Sequence, residues 1–467
     1  MMPPNGAPAR AEALATVSRL AQERFVAGEV GRLLDELGPV EEGSDYDSFE
    51  ASLIRVTRRD YEKATRVPPE LVGEMRHAGS LALAAWGPAK EESNFEALRP
   101  HLERNLELRH RYVECFDPPE ETYDVLLDDY EPNMKTAEVR EIFGRLKEEL
   151  LPLVAAVGEA GEVDDSFLRG EFDVAKQREI GLEIVRRFGY ADDAWRIDET
   201  PHPFMTTAGV GDVRLTTTYR PDDLTSLFAT MHEFGHGIYE WGVDPALART
   251  PLGSGASLGL HESQSRTWEN LVGRSRSFWR FFYPRLQEAF PGRLGAVDEE
   301  SFYRGINRVY PSLIRIDADE ATYNMHIILR FELEQELIEG RLAVAELPDA
   351  WNARMEEYLG IAVPDDAHGV LQDMHWPGGS FGYFPTYSLG NVISVQIWER
   401  AREDLSDLDE RFERGEFDDL REWLREHLYR LGRKFTPQET IERVTGNLID
   451  PGPYLRYLRE KLAPQPA

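Results

Sequence analysis

Residues 232–236 read His232-Glu233-Phe234-Gly235-His236, inside an apolar-periodic run of Leu224, Leu227, Phe228, Met231 and Ile238. Apolar residues recurring at that spacing make the segment an amphipathic helix. A helix turns once every 3.6 residues, so His232 and His236 fall one turn apart on one face, where their imidazoles can grip a single ion. Glu233 lies beside them, placed to take a proton from a water that the ion activates, which is the job of a general base. The same residue types also occur on plain helix surfaces, so the motif needs support from elsewhere in the chain.

A catalytic zinc takes three protein ligands and keeps one position open. The best-placed third ligand is Glu262, in His261-Glu262-Ser263-Gln264, which follows the glycine-rich loop 253–259 and begins a helix running through Trp268 and Leu271. A loop of that length can fold the second helix back against the first. By residue type alone, Glu262 reads first as a solvated surface carboxylate. Upstream, Phe204-Met205-Thr206-Thr207 and the β-prone run 213–219 flank Gly209-Val210-Gly211-Asp212 and predict a β-hairpin. Pro221-Asp222-Asp223 then marks the start of the helix that carries the motif.

Elsewhere the rhythm is helical, as in Leu14, Val17, Leu20, Ala21 and Phe25, or Ile180, Leu182, Val185 and Phe188, so a mainly α fold is expected. Breaks are predicted at Val67-Pro68-Pro69, Phe116-Asp117-Pro118-Pro119, residues 158–165, Thr200-Pro201-His202-Pro203 and Asp450-Pro451-Gly452-Pro453. The 467 residues, 41% of them hydrophobic, suffice for a large core and two lobes around a cleft. With 85 acidic against 53 basic side chains the net charge is -32, which argues against a nucleic-acid partner because phosphates need a basic face. Cys115 is the single cysteine, so no internal disulfide forms and a reducing compartment fits. No apolar stretch has the length of a membrane span and no secretion signal opens the chain, so no membrane association and a cytoplasmic location are expected.

Five patterns, in order, resemble the metallocarboxypeptidases of the carboxypeptidase Taq type. They are Asp212-Val213-Arg214-Leu215-Thr216, the five residues from His232, His261-Glu262-Ser263-Gln264, Ile314-Arg315-Ile316-Asp317-Ala318-Asp319-Glu320, and Gly369-Val370-Leu371-Gln372-Asp373-Met374-His375-Trp376. Residues 123–132 and 382–387 extend the likeness to nearly the whole chain. The resemblance implies a mainly α peptidase fold with a deep substrate groove, a single domain over residues 1–467 built as two helical lobes. It further implies His232, His236 and Glu262 as metal ligands, Glu233 as the base, removal of single C-terminal residues from peptides, and a homodimer. Members of the family usually carry a further helical stretch ahead of the segment matching residues 2–12, and this chain starts inside that segment, which bears on the first helices and the dimer contacts.

A carboxypeptidase must hold a free C-terminal carboxylate, and the planar fork of Arg suits it. Arg315 is the first candidate and Arg214 the second, each of which also reads as half of a structural ion pair. For a donor to the developing oxyanion, His375, Tyr383 and Tyr387 are candidates around the glycine-rich loop 376–382. Asp373, Asp319 and Glu320 are candidates for orienting the ligand imidazoles. The hairpin with Asp212, Arg214 and Thr216 reads either as scaffold or as a strand that pairs with an extended peptide. Zn2+ is the expected ion, with Co2+ or Mn2+ compatible with the same ligands. Two other readings share these features: an endo-acting oligopeptidase or dipeptide-releasing carboxypeptidase, and a non-catalytic peptide-binding protein whose metal only stabilises it. A closed structural site would have no use for Glu233 and would require a fourth ligand.

Overall fold

The computed structural model describes residues 4–159 and 163–462, and they are largely helical. The chain divides into two compact units: residues 1–147, 311–318 and 322–385 form one, and residues 148–310, 319–321 and 386–467 form the other. Among the described residues, no helix is long and apolar enough to cross a membrane.

The first unit contains α1 (Ala7–Phe25), α2 (Gly28–Gly43), α3 (Phe49–Arg66), α4 (Pro69–Glu91), α5 (Phe95–Val113), α6 (Tyr123–Leu127) and the start of α7 (Thr136–Glu159). Local chemistry sets these ends. The Ser48 and Asn94 side chains accept from Ala51 N–H and Ala97 N–H, capping α3 and α5. Pro69 opens α4, where its missing N–H has no partner to lose. Helix α1 forms as its periodicity predicts, but it packs through Ala7 and Ala11, while Val17 and Leu20 stay exposed. The predicted break at residues 158–165 comes later than expected, because α7 continues to Glu159. Residues 160–162 of that break, and residues 2 and 3 of the N-terminal segment, lie outside the described residues.

The second unit holds the motif helix. After α8 (Val174–Phe188), capped by Asp173, come three strands: β1 (Trp195–Glu199), β2 (Met205–Gly209) and β3 (Asp212–Thr217). The predicted hairpin is β2 and β3, antiparallel, with a register irregularity between Thr207 and Gly209. Strand β1, which the sequence reading did not include, adds in parallel to the other edge of β3, giving the order β1-β3-β2. Helix α9 (Thr225–Gly242) starts after Leu224, later than Pro221-Asp222-Asp223 suggested. The carbonyls of Pro221 and Asp222 are instead taken by Phe172 N–H and Gly170 N–H, while Asp223 accepts from Thr225 N–H.

Helix α9 is clamped on three sides. Phe234 is fully buried against Phe188, Trp195 and Trp268. On a second side a Cβ at Gly237 would stand 2.8 Å from both Trp195 and Val213, so the sheet lies directly on the helix. On a third, a Cβ at Gly235 would collide with the backbone of Gln264 and Ser265, so α10 (Leu258–Arg266) touches α9 backbone to backbone. Beyond α10 the helix widens to π geometry over Thr267–Val272, a distortion that recurs at functional sites.

Gly235→Ala is therefore expected to lower stability by about 1–3 kcal/mol through overpacking. Gly144→Ala in α7, where a Cβ meets nothing within 4 Å, is expected to be neutral or stabilising. Parallel thermal melts of the two variants check the contrast.

Candidate metal centre

His232 and His236 project from one face of α9 toward Glu262 in the second turn of α10. Their Nε2 atoms stand 3.7 and 3.4 Å from Glu262 Oε2. The three donor atoms lie within 4.8 Å of one another, and among the described residues they are the group of three His, Cys, Asp or Glu side chains that can hold an ion. Ligands about 2.0–2.1 Å from a tetrahedral zinc sit about 3.3 Å apart, so the observed spacing fits. Ser257 fixes the start of α10 by accepting from Leu260 N–H, which sets Glu262 at the right height.

Each of the three side chains is held from behind. His232 Nδ1 is 2.9 Å from Glu269 Oε2. His236 Nδ1 is 3.1 Å from His261 Nδ1, and His261 Nε2 is 2.7 Å from Glu240 Oε1. Arg266 Nε donates to Glu262 Oε1 at 2.8 Å, leaving Oε2 turned to the histidines, and Arg266 also reaches Glu269 at 3.3 Å. The outer partners expected at Asp373, Asp319 and Glu320 are bonded elsewhere. Asp319 accepts from Tyr310 N–H and Ala321 N–H, Glu320 from Lys461, and Asp373 from Arg315 and Arg330.

Burial and neighbours then sort the charges. Burial pushes the Glu233 carboxyl up to about 7, with His232 opposing and Glu262 and Glu269 adding to it. Burial works against Glu262 too, but Arg266 and the two histidines outweigh it and hold that carboxyl well below its usual range. Glu269 is likewise held down, against burial, by His232 and Arg266. Burial lowers His236 to about 4, which keeps a lone pair available. His232 is raised despite burial, because Glu262 and Glu269 flank it.

Other predicted site residues cluster in the first unit. Buried Arg315 gives Nε and Nη2 to Asp373 Oδ1, at 3.0 and 2.7 Å, and Nη1 to the Tyr323 hydroxyl at 2.9 Å. Asp373 also accepts from Arg330 Nε at 2.7 Å. The His375 ring packs on Tyr383 and Phe384. The loop carrying these rings hangs from Glu334, buried on the helix Tyr323–Ile338, which accepts from Trp376 Nε1 at 2.6 Å and Gly382 N–H at 2.9 Å. Tyr387 is half-buried in the first turn of the helix Pro385–Asp404, in the second unit. Arg214 lies on the face of β3 opposite Val213 and Leu215, exposed and paired with Asp212 at 2.6 Å. The sequence reading missed Glu240, His261, Arg266, Glu269 and Glu334. A helical count would have pointed to three of them, since Glu240 follows His236 by four residues, and Arg266 and Glu269 follow Glu262 by four and seven.

Comparison with known proteins agrees over almost the full length. Residues 1–462 match the family described as Carboxypeptidase Taq (M32) metallopeptidase. The chain is 41% identical to Thermostable carboxypeptidase 1 of Thermus thermophilus, covering 99% of this chain and 93% of the relative. It is 38% identical to Carboxypeptidase 1 of Bacillus subtilis, covering 98% and 92%. Among solved structures, the M32 carboxypeptidase of Deinococcus radiodurans superposes with a TM-score of 0.92 at 42% identity, covering 99% of this chain and 93% of that one. The chain belongs to the carboxypeptidase Taq (M32) family of metallopeptidases.

Proposed function

We propose that this metallocarboxypeptidase works through Glu233 as general base beside an ion held by His232, His236 and Glu262. The observation that carries the reading is the 3.4 and 3.7 Å approach of Glu262 to both histidines, with Glu233 next in sequence to the first of them. The ion is assigned as Zn2+, with Co2+ or Mn2+ able to substitute, because two imidazoles and one carboxylate suit all three. When bound it supplies Lewis acidity to the scissile carbonyl and to water. Glu233 takes the proton from the attacking water and hands it to the leaving amine. A carboxyl raised to about 7 suits both halves of that transfer. Arg266 keeps Glu262 Oε1 occupied, so that the ligand presents Oε2 alone.

Recognition of the substrate carboxylate is assigned first to Arg315. Arg315 stands with Arg330 against the carboxylate of Asp373, so two guanidinium groups are gathered at one buried place, and the planar fork suits a second carboxylate. Arg214 is the second candidate, since its exposed pair with Asp212 costs little to open. His375, Tyr383 and Tyr387 remain candidates for donating to the developing oxyanion. The substrates are peptides with a free C-terminus. A homodimer is part of the proposal, supported by the exposed apolar residues Leu33, Leu37 and Val40 along α2. A cytoplasmic setting is supported by the free thiol of Cys115.

The test is mass-spectrometric, on a peptide with a free C-terminus and its amidated twin. Stepwise loss of single residues from the free peptide only is expected. In Glu233→Gln the rate is expected to fall about a hundred- to ten-thousandfold, with zinc still bound. Internal cuts in both peptides would favour the endo-acting reading, and stoichiometric metal without cleavage the binding protein.

Arg315→Lys tests the carboxylate contact separately. Hydrogen bonds to charged groups contribute about 1.5–3 kcal/mol, so KM is expected to rise about ten- to a hundredfold with little change in kcat. A thermal melt run alongside reports any damage from loosening Asp373.

A further inference from the structure

We propose that Glu240 and His261 form a relay that fixes the tautomer of His236, leaving its Nε2 lone pair to the ion. The inference rests on His236 being a ligand. It concerns two residues that make no contact with substrate in the reading above, and so makes them positioning residues.

A hydrogen bond between two ring nitrogens needs a hydrogen on one and a lone pair on the other. His236 Nδ1 and His261 Nδ1 are 3.1 Å apart, so one must donate and one accept. What decides between them lies at the far side of His261, where Nε2 stands 2.7 Å from Glu240 Oε1. An ionised carboxylate only accepts, so His261 carries its hydrogen on Nε2. An ion held at His236 Nε2 takes the lone pair there, so the hydrogen of that ring sits on Nδ1 and His261 Nδ1 accepts it. The Nε2 of His236 is left without a hydrogen on the side that faces Glu262 Oε2. Reversing the first bond would put a hydrogen on His236 Nε2, where an ion must bind.

The surroundings keep the relay in place. Glu240 also accepts from Gly255 N–H at 2.9 Å, and Gly255 belongs to the glycine-rich loop before α10. Burial raises the Glu240 carboxyl, but His261 and that backbone N–H overcome it and hold the group below its usual range. The His261 ring packs against Tyr239, whose hydroxyl accepts from Ala256 N–H. Glu240 lies one helical turn beyond His236, and His261 is the residue before Glu262, so both ends of the relay are tied to ligand-bearing helices. His232 needs no such intermediary, since Glu269 meets its Nδ1 directly.

The experiment measures zinc affinity of the full chain by competition with a chromophoric chelator, together with the melting temperature of the metal-free protein. In His261→Phe the ring packing stays and the acceptor goes, and affinity is expected to fall about ten- to a hundredfold. In His261→Asn the amide oxygen takes the place of Nδ1, and affinity is expected to return to within about threefold of the wild type, although packing on Tyr239 is lost. Glu240→Gln, which can present either an oxygen or an NH2 to His261, is expected to weaken binding about tenfold without removing a ring. Should His261→Phe misfold, Glu240→Gln decides. The relay is overturned if His261→Phe or Glu240→Gln binds zinc as tightly as the wild type, or if Asn restores nothing that Phe removes. A wild-type chain that binds no zinc would overturn the ligand assignment itself, which is a different failure.

Discussion

Everything at the metal centre depends on two helices touching backbone to backbone. Packed helices ordinarily lie 8–10 Å apart, axis to axis, with side chains filling the gap. A glutamate on one helix can meet two histidines on the other at 3.4–3.7 Å only if that gap carries little else. Gly235 removes the one side chain that would stand between α9 and the Gln264–Ser265 backbone. Gly237 does the same for the sheet, and Phe234, next to Gly235 in sequence, anchors the helix among Phe188, Trp195 and Trp268. Phe234, Gly235 and Gly237 thus explain why Glu262 can reach both histidines.

Bringing the helices together also gathers carboxylates that repel one another, and the basic side chains decide which of them stay charged. Arg266 is bonded to both Glu262 and Glu269, and Arg274 reaches Glu269 at 3.4 Å. Glu240 has His261 and a backbone N–H. At Glu233 burial prevails over the opposing charges of His232 and Arg266 and raises the carboxyl to about 7. Four glutamates within a few turns therefore differ in charge because of their partners: Glu262, Glu269 and Glu240 are held below the usual range, and Glu233 is raised to about 7.

That division explains what could be read from the sequence. The helical class, the hairpin and the motif helix were legible, because periodicity of 3.6 or 2 and glycine-rich turns are local signals. The placement of His232 and His236 on one face of α9 was legible for the same reason. Glu262 was legible only in part: the loop before it made it the best-placed third candidate, its residue type favoured a surface carboxylate, and the family resemblance reversed that order. Strand β1 was missed because its neighbour is β3, whose pairing spans some eighteen residues. The outer partners were sought at Asp373, Asp319 and Glu320, which the motifs made conspicuous. They lay instead at Glu240 and Glu269, which have no motif of their own and are reached only by counting turns. Arg315, Asp373, His375 and Tyr383 were picked from two distant segments and do come together, although the structure shows Arg315 bonded on both edges of its guanidinium.

The wiring behind the ligands has a geometric consequence. His232 of α9 is tied to Glu269 beyond α10, and His236 of α9 is tied to His261 of α10, which leads back to Glu240 of α9. Each imidazole is thus a cross-link between α9 and the segment that α10 begins, and neither cross-link involves an ion. Two cross-links one helical turn apart resist both sliding and rotation of α10 along α9, the motions that would most quickly carry Glu262 out of reach. The π-helical turn at Thr267–Val272 carries Glu269, which meets Nδ1 of His232, while Glu262 of α10 faces the Nε2 atoms of both histidines. Rotamers locked by such bonds are what hold a metal site to the narrow tolerance that catalysis needs.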